Sequence, residues 1–273
     1  MAPASLWLLC GLVLPLLLIL ALSLTRRGPY GMVVWEFSLG NYAKILDAVY
    51  APVLGRSLVY AATTTFLCLV LGYGVAYTLS FYAGRRREML IVMIMLPFWT
   101  SCLVAIYSWI ILLGREGLIN NLLIGLGLIE TPIQFLNRPF AVILGLVYFY
   151  LPFMVLPLYA CLEKIPRALI EAAKDLGATP RSTFTKVTLP LSMPGIAAGC
   201  LLTFIPCAGD FLTAEFLGGP RTYLIGNLIQ NQFMVAQDWA FGSAVAVVLI
   251  AVLLIGFYGY LRLEGSGFEA GRV

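Results

Sequence analysis

The chain has 273 residues, 61% of them hydrophobic and 11% charged, with a net charge of +4 and a mean hydropathy of +0.96. Soluble globular domains carry about 25% charged residues, so this composition excludes a soluble enzyme and implies an all-α integral membrane protein, one transmembrane domain over residues 1–273. There is no histidine, which removes the commonest metal ligand and general base, and no GxxxxGK[ST] loop, so no ATP-hydrolysing site, cofactor or metal is expected in the chain itself.

Leu6 to Leu24 is nearly continuous apolar sequence of bilayer-spanning length. It has no basic residue before it and ends in Thr25-Arg26-Arg27, so it reads as a first transmembrane helix rather than a cleaved leader. Gly28 to Arg56 is mixed. Asn41 to Leu46 looks like a short amphipathic helix at the membrane interface with Asn41 as its cap. Ser57 to Ala83 is the second span, rich in Thr and Gly that permit close helix approach in lipid. Gly84-Arg85-Arg86-Arg87-Glu88 follows, a strong cytoplasmic marker.

The third span is Met89 to Leu113, with a kink expected at Pro97, which frees a backbone carbonyl. Gly114 to Arg138 is too interrupted by Gly, Asn and Pro to span and reads as an outer loop with one short interfacial helix. Pro139 to Cys161 is the fourth span. Leu162 to Leu191 is the longest polar stretch of the chain. Pro194 to Leu217 is the fifth span, broken at Pro206 and carrying Asp210 and Glu215; Gly218 to Trp239 is an outer loop; Ala240 to Leu261 is the sixth span; a short polar tail ends the chain.

Six spans place both termini on one side of the membrane. The loops at 84–88 and 162–191 and the tail carry three, five and two basic residues, ten of the 17, which favours a cytoplasmic side for them and for both termini. Arg26 and Arg27 run against that rule for the first helix alone. Cys10, Cys68, Cys102, Cys161, Cys200 and Cys207 are scattered singly, mostly in apolar runs, as buried packing residues would be, without redox or metal spacing.

The polar stretch contains Glu171 to Pro190, EAAKDLGATPRSTFTKVTLP. From Pro166, a good first-turn residue, the run Arg167 to Leu176 is strong helix former, and Gly177 follows where a helix stop belongs. The product is a short helix with a small-residue patch at Ala172 and Ala173 that a partner groove can accept closely. Glu171-Ala172-Ala173, three residues, Gly177, nine residues and then Val187-x-Leu189-Pro190 resembles the EAA motif of membrane permeases in binding-protein-dependent ABC importers, with Val187 in place of the usual Ile. Pro166 also departs from the acidic residue usual there.

A wider resemblance covers most of the chain after about Phe37 and is nearest to the permease subunits of spermidine/putrescine importers. It is carried by Leu96 to Ser101, Tyr150 to Tyr159, Gly209-Asp210-Phe211 with Leu217 to Gly219, and Ile225 to Ile229. Relatives that import iron, phosphonates, opines or amino-acid-like solutes share parts of these stretches. The resemblance implies a type I fold in a bacterial inner membrane and no catalysis by this chain. It also implies two ATP-binding partner subunits, a second, related permease, a soluble solute-binding protein, and alternating access driven through Glu171, Ala172, Ala173, Gly177, Leu189 and Pro190.

Asp210 and Glu215 are the acids of the membrane segments. A carboxylate at mid-membrane costs about 2.5–3.5 kcal/mol on insertion scales, so such acids face a bundle interior or a wet cavity. Five residues apart, they lie about 140° apart on an ideal helix. Two roles stand open for Asp210, a hydrogen-bonded helix brace or a contact for a cationic solute; Glu215 also fits the outer interface. Trp99, Tyr107, Trp109 and Tyr150 supply aromatic faces for a cation. A secondary transporter should show inverted repeats or a proton relay, and an intramembrane enzyme a nucleophile–base pair; neither pattern is visible.

Overall fold

The computed structural model describes residues 2–270, with side chains described from Leu9 to Tyr258 apart from Tyr30. In chain order the helices begin with α1 (Ala2–Ser23), α2 (Gly40–Ile45), α3 (Ala51–Phe81), α4 (Arg87–Trp99), α5 (Cys102–Leu113) and α6 (Leu118–Gly125). They continue with α7 (Pro139–Leu162), α8 (Arg167–Asp175), α9 (Pro180–Thr183), α10 (Leu189–Ala208), α11 (Leu212–Leu217), α12 (Ile225–Met234) and α13 (Trp239–Ala270). Strands β1 (Arg26–Arg27) and β2 (Val33–Val34) pair antiparallel, a small hairpin that two-residue strands leave no pattern to reveal.

Among the described residues five stretches are long and apolar enough to cross a membrane: Ala51–Phe81, Cys102–Gly125, Pro139–Leu162, Pro180–Ala208 and Trp239–Tyr258. The described apolar part of α1, Leu9–Ser23, is shorter. Contacts gather into two compact units, 1–57 with 223–273, and 58–222.

In the first unit α1, α2 and α12 each pack against α13. Asn41 lies in this packing and is buried. Its Nδ2 donates to the carbonyls of Ser23 (3.1 Å) and Thr25 (2.8 Å). It therefore closes the C-terminal end of α1 and does not cap its own helix as expected; the α2 cap position is Leu39. The reason is burial: a buried amide must find partners, and the carbonyls a helix end leaves open are strong acceptors. The region expected as an outer loop between residues 218 and 239 contains α12. Its first N–H groups are satisfied by side chains, Ile225 N donating to Ser57 Oγ (2.7 Å) and Leu224 N to Asn227 Oδ1 (3.2 Å). The expected polar tail continues α13 as far as Ala270; Arg272 lies outside the described residues.

In the second unit α7 packs lengthwise on α10. Lipid is as apolar as leucine, so helices in it associate by packing rather than by a hydrophobic gain. Here Gly195 and Gly199, one turn apart on α10, admit α7. A Cβ on Gly199 would stand 2.7 Å from Met154 Sδ, and one on Gly195 2.6 Å from Cys161 Cβ. Met154, Val155, Leu158 and Leu162 are buried with Cys68, Ala76 and Leu79 of α3. Tyr73 Oη and Ser192 Oγ share a hydrogen bond at 3.0 Å, which pairs those two polar atoms across the packing. At the far end of α7, Arg87 pairs with Glu163 and lies over the Tyr159 ring, 5.7 Å from its centre.

Two spans differ from expectation. The third is not one kinked helix over 89–113. Pro97 sits inside α4, and the chain breaks just after it at Thr100 and Ser101, whose ψ angles of 141° and 131° are extended. The continuous apolar length is Cys102–Gly125 instead, with a turn between α5 and α6. The fifth does not break at Pro206, which lies within α10; the break falls at Gly209 to Phe211, before α11. Its start also moves. The second half of the polar stretch is helical from Pro180, through a π-helical turn at Phe184–Thr188, and runs on to Ala208. Of the cysteines only Cys68 and Cys207 are buried; Cys10 is exposed and the other three are half-buried, because helix faces toward lipid need no cover.

Candidate functional site

The two helix breaks of the second unit lie on one cavity of about 240 Å³. Pro97, Phe98 and Thr100 reach it from the end of α4, Cys102 from the start of α5, Phe149, Tyr150 and Phe153 from α7, and Asp210 from the break after α10. Each break frees backbone from the helix ladder, and non-helical backbone at membrane depth is tolerated where it lines a cavity or is buried in protein. Three of the four stretches that carry the sequence resemblance thus meet at one place.

Asp210 is held from two sides. Tyr150 Oη donates to its Oδ2 at 2.9 Å. Thr213 N donates to Oδ1 at 2.9 Å and Thr213 Oγ1 to Oδ2 at 3.2 Å. Asp210 stands one position before the cap residue Phe211, and its bond from Thr213 N, the second residue of α11, satisfies an N–H that the first turn leaves open. Among the described residues no lysine or arginine forms an ion pair with it. Phe98 and Phe153 meet edge to face, ring centres 4.7 Å apart, and Tyr150 lies 6.1 Å from Phe153. The lining beside Asp210 is therefore largely aromatic.

The other expected path residues lie elsewhere. Trp99 and Tyr107 are exposed, Tyr107 leaning on Phe216 at 5.7 Å, and Glu215 is exposed on α11; none of the three lines the cavity. Trp109 stacks edge-on against Tyr148. Phe98, Thr100, Cys102, Phe149 and Phe153 line the cavity without having been singled out as site residues. A signal for them was present, since a proline followed by Thr-Ser in an apolar run is where a membrane helix breaks, and broken helices line cavities.

The second surface is α8. Leu176 is its C-cap and Gly177 follows with φ of +81°. Gly177 N donates to the Lys174 carbonyl (2.8 Å) and Ala178 N to that of Ala173 (3.0 Å), the paired bonds of a Schellman motif. Pro166 is the cap residue, one position before the first helical residue. No α8 residue is buried; Glu171 and Ala172 are exposed, Ala173 half-buried, and Leu169 and Leu176 are 46% and 89% exposed. Leucines presented to water on a short helix, beside small residues, form a face suited to a protein groove. Thr179 caps the next helix, accepting from Ser182 N at 3.3 Å. Leu189 and Pro190 open α10, Leu189 half-buried and Pro190 exposed.

Helices of this length, with a glycine-stopped helix held out between Pro139–Leu162 and Pro180–Ala208, define a multi-pass membrane protein. The family model for the inner membrane component of binding-protein-dependent transport systems matches residues 5–264, and the chain belongs to that family. Among individual relatives, the spermidine/putrescine transport system permease protein PotB of Haemophilus influenzae is 42% identical over 266 residues, covering 96% of this chain and 93% of that one. PotB of Escherichia coli K12 is 43% identical over 256 residues, covering 94% and 93%. The fold is that of a bacterial alginate ABC transporter solved with an alginate pentasaccharide-bound periplasmic protein: TM-score 0.79 at 18% identity, over 96% of this chain and 91% of that one.

Proposed function

We propose that this chain is the transmembrane permease subunit of an ATP-driven ABC importer for polyamines, spermidine and putrescine. The observation that carries the reading is the 42–44% identity to PotB proteins over at least 94% of the chain. The whole chain acts as one permease domain in a bacterial inner membrane, both termini cytoplasmic. It works with two ATP-binding subunits, which hydrolyse the ATP, a second and related permease, and a soluble binding protein that delivers solute.

In this reading α8 is the coupling element. Glu171, Ala172, Ala173 and Gly177 shape a helix that seats in a groove of the ATPase, and Leu189 and Pro190 carry its displacement into α10. Support comes from the exposed face of α8 and from α9, the π turn and α10 following one another without interruption. When the ATPase subunits close, a rigid connection of this kind converts their movement into displacement of α10 against α7. The solute path runs past Asp210, with Glu215, Trp99 and Tyr107 as further positions along it.

The experiment is uptake of labelled spermidine and putrescine in cells lacking this chain and in cells with it restored, partner genes intact. Uptake that depends on the chain supports the reading. Unchanged uptake removes the polyamine assignment. In the assembled importer Gly177→Asp is expected to leave ATP hydrolysis running without matching uptake; normal coupling in that variant would remove the docking role of α8.

A further inference from the structure

We infer that the cavity beside Asp210 is a seat for one alkylammonium end of the transported amine, with Asp210 as counter-ion and Phe98, Phe153 and Tyr150 as the wall for the adjoining methylenes. The inference rests on the polyamine reading for its solute and deepens it by assigning the site. Four observations support it. The cavity holds a carboxylate that no described lysine or arginine neutralises. All three hydrogen bonds that orient this carboxylate come from neutral donors, so none of them places a positive charge beside it. The neighbouring surface is aromatic, and ring faces attract an ammonium while their apolar bodies accept its alkyl chain. Last, the volume of about 240 Å³ falls below the roughly 300–1,000 Å³ of sites that enclose a drug-sized ligand. It suits a short linear amine or one end of a longer one.

A carboxylate already braced by Tyr150 and Thr213 is preorganised, so the amine does not have to order it on binding. Three neutral donors also leave acceptor capacity on two oxygens that offer about four lone-pair positions. The same bracing keeps Asp210 from turning away when the solute leaves. Glu215, Trp99 and Tyr107 are outside this seat.

Cys102 lines the same cavity and is half-buried, so its thiol reports occupancy directly. The test uses the full importer in membrane vesicles. The rate of Cys102 alkylation by N-ethylmaleimide is followed by mass spectrometry, with and without putrescine, spermidine or n-butanol. Both amines are expected to slow alkylation and n-butanol is not. In Asp210→Asn the amine concentration that gives half-protection is expected to rise roughly tenfold or more, as loss of one close charge contact implies. Asn keeps the side-chain oxygen that accepts from Thr213 N, so that N–H in the first turn of α11 stays satisfied. Asp210→Glu, which restores the charge, is expected to recover part of the protection. Equal protection in Asp210→Asn, or equal protection by n-butanol, overturns the inference. So does absence of protection in an importer that takes up spermidine, which would leave the import reading intact. Asp210-dependent protection by amines in a chain that spermidine uptake does not need would do the reverse, removing the solute assignment and keeping the ammonium seat.

Discussion

Tyr150 and Asp210, 60 residues apart in the chain, meet through a 2.9 Å hydrogen bond that ties the middle of α7 to the break after α10. The bond makes Asp210 a brace between two helices, and its bonds to Thr213 tie it to the first turn of a third. Removing the hydroxyl and removing the carboxylate are therefore unequal. Tyr150→Phe removes a hydroxyl that reaches Asp210 and, at 3.3 Å, the Pro206 carbonyl, and leaves the Thr213 contacts in place. It should cost about 1.5–3 kcal/mol, the range for hydrogen bonds to charged groups. Asp210→Ala also exposes the first turn of α11 and should cost more. Thermal unfolding in detergent, wild type against each variant, orders the three; an Asp210→Ala protein as stable as Tyr150→Phe would remove the role at the first turn of α11.

Gly199 faces Met154 so closely that a Cβ would stand 2.7 Å from its Sδ and 3.1 Å from its carbonyl oxygen, so a larger side chain must displace Met154 or the helices. Gly199→Val is expected to destabilise the second unit by ~1–3 kcal/mol through overpacking. Gly74→Ala is the control, because a Cβ there meets nothing within 4 Å. A lower melting temperature for Gly199→Val together with an unchanged one for Gly74→Ala is the expected result.

Gly177 stops α8 in the left-handed region. A β-branched residue there costs on the order of 1–2 kcal/mol, whereas asparagine visits that region with less penalty. Gly177→Val should fray the end of α8 and depress uptake in the assembled importer, while Gly177→Asn should retain most of it. Space is not the cause, since a Cβ at Gly177 meets nothing within 4 Å. Uptake rates of the two variants at equal protein levels check this, and equal rates would show that the backbone conformation does not matter to coupling.

Asn120 is fully buried. It donates to the carbonyls of Gly114 and Ile133 and accepts from Ile133 N, each at 2.9 Å. One side chain thus pins the segment after α6 to the end of α5. Asn120→Ala strands three backbone groups and should cost about 1–3 kcal/mol for each that water cannot reach. Hydrogen exchange of the Ile133 amide gives the local readout, with faster exchange expected in the variant.

Much of this was legible in the residues alone, where the signal is local. Apolar runs of the right length mark membrane segments because lipid leaves backbone groups no partner outside the segment. Gly177 reads as a helix stop because its conformation is a property of three or four neighbouring residues. The positions of the breaks were less legible. Pro97 and Pro206 both sit inside helices, and the chain opens three residues beyond each. Proline removes one hydrogen bond of the ladder; where the ladder then gives way depends on which neighbours satisfy the freed groups. Asn41 shows the same limit. Its type permits a cap, yet its neighbours in space, Ser23 and Thr25, decide that it closes another helix.

By itself the sequence determined the membrane class, the short helix that Gly177 stops, and the family. Each follows from composition or from spacing along the chain, where the physics acts over a few residues. Only the tertiary structure decided which of the intramembrane acids lines a cavity, and that its aromatic wall is Phe98, Phe153 and Tyr150 rather than Trp99 and Tyr107. Helix phase alone cannot assign such a face once a helix has broken, because the break resets the angle at which every later side chain projects.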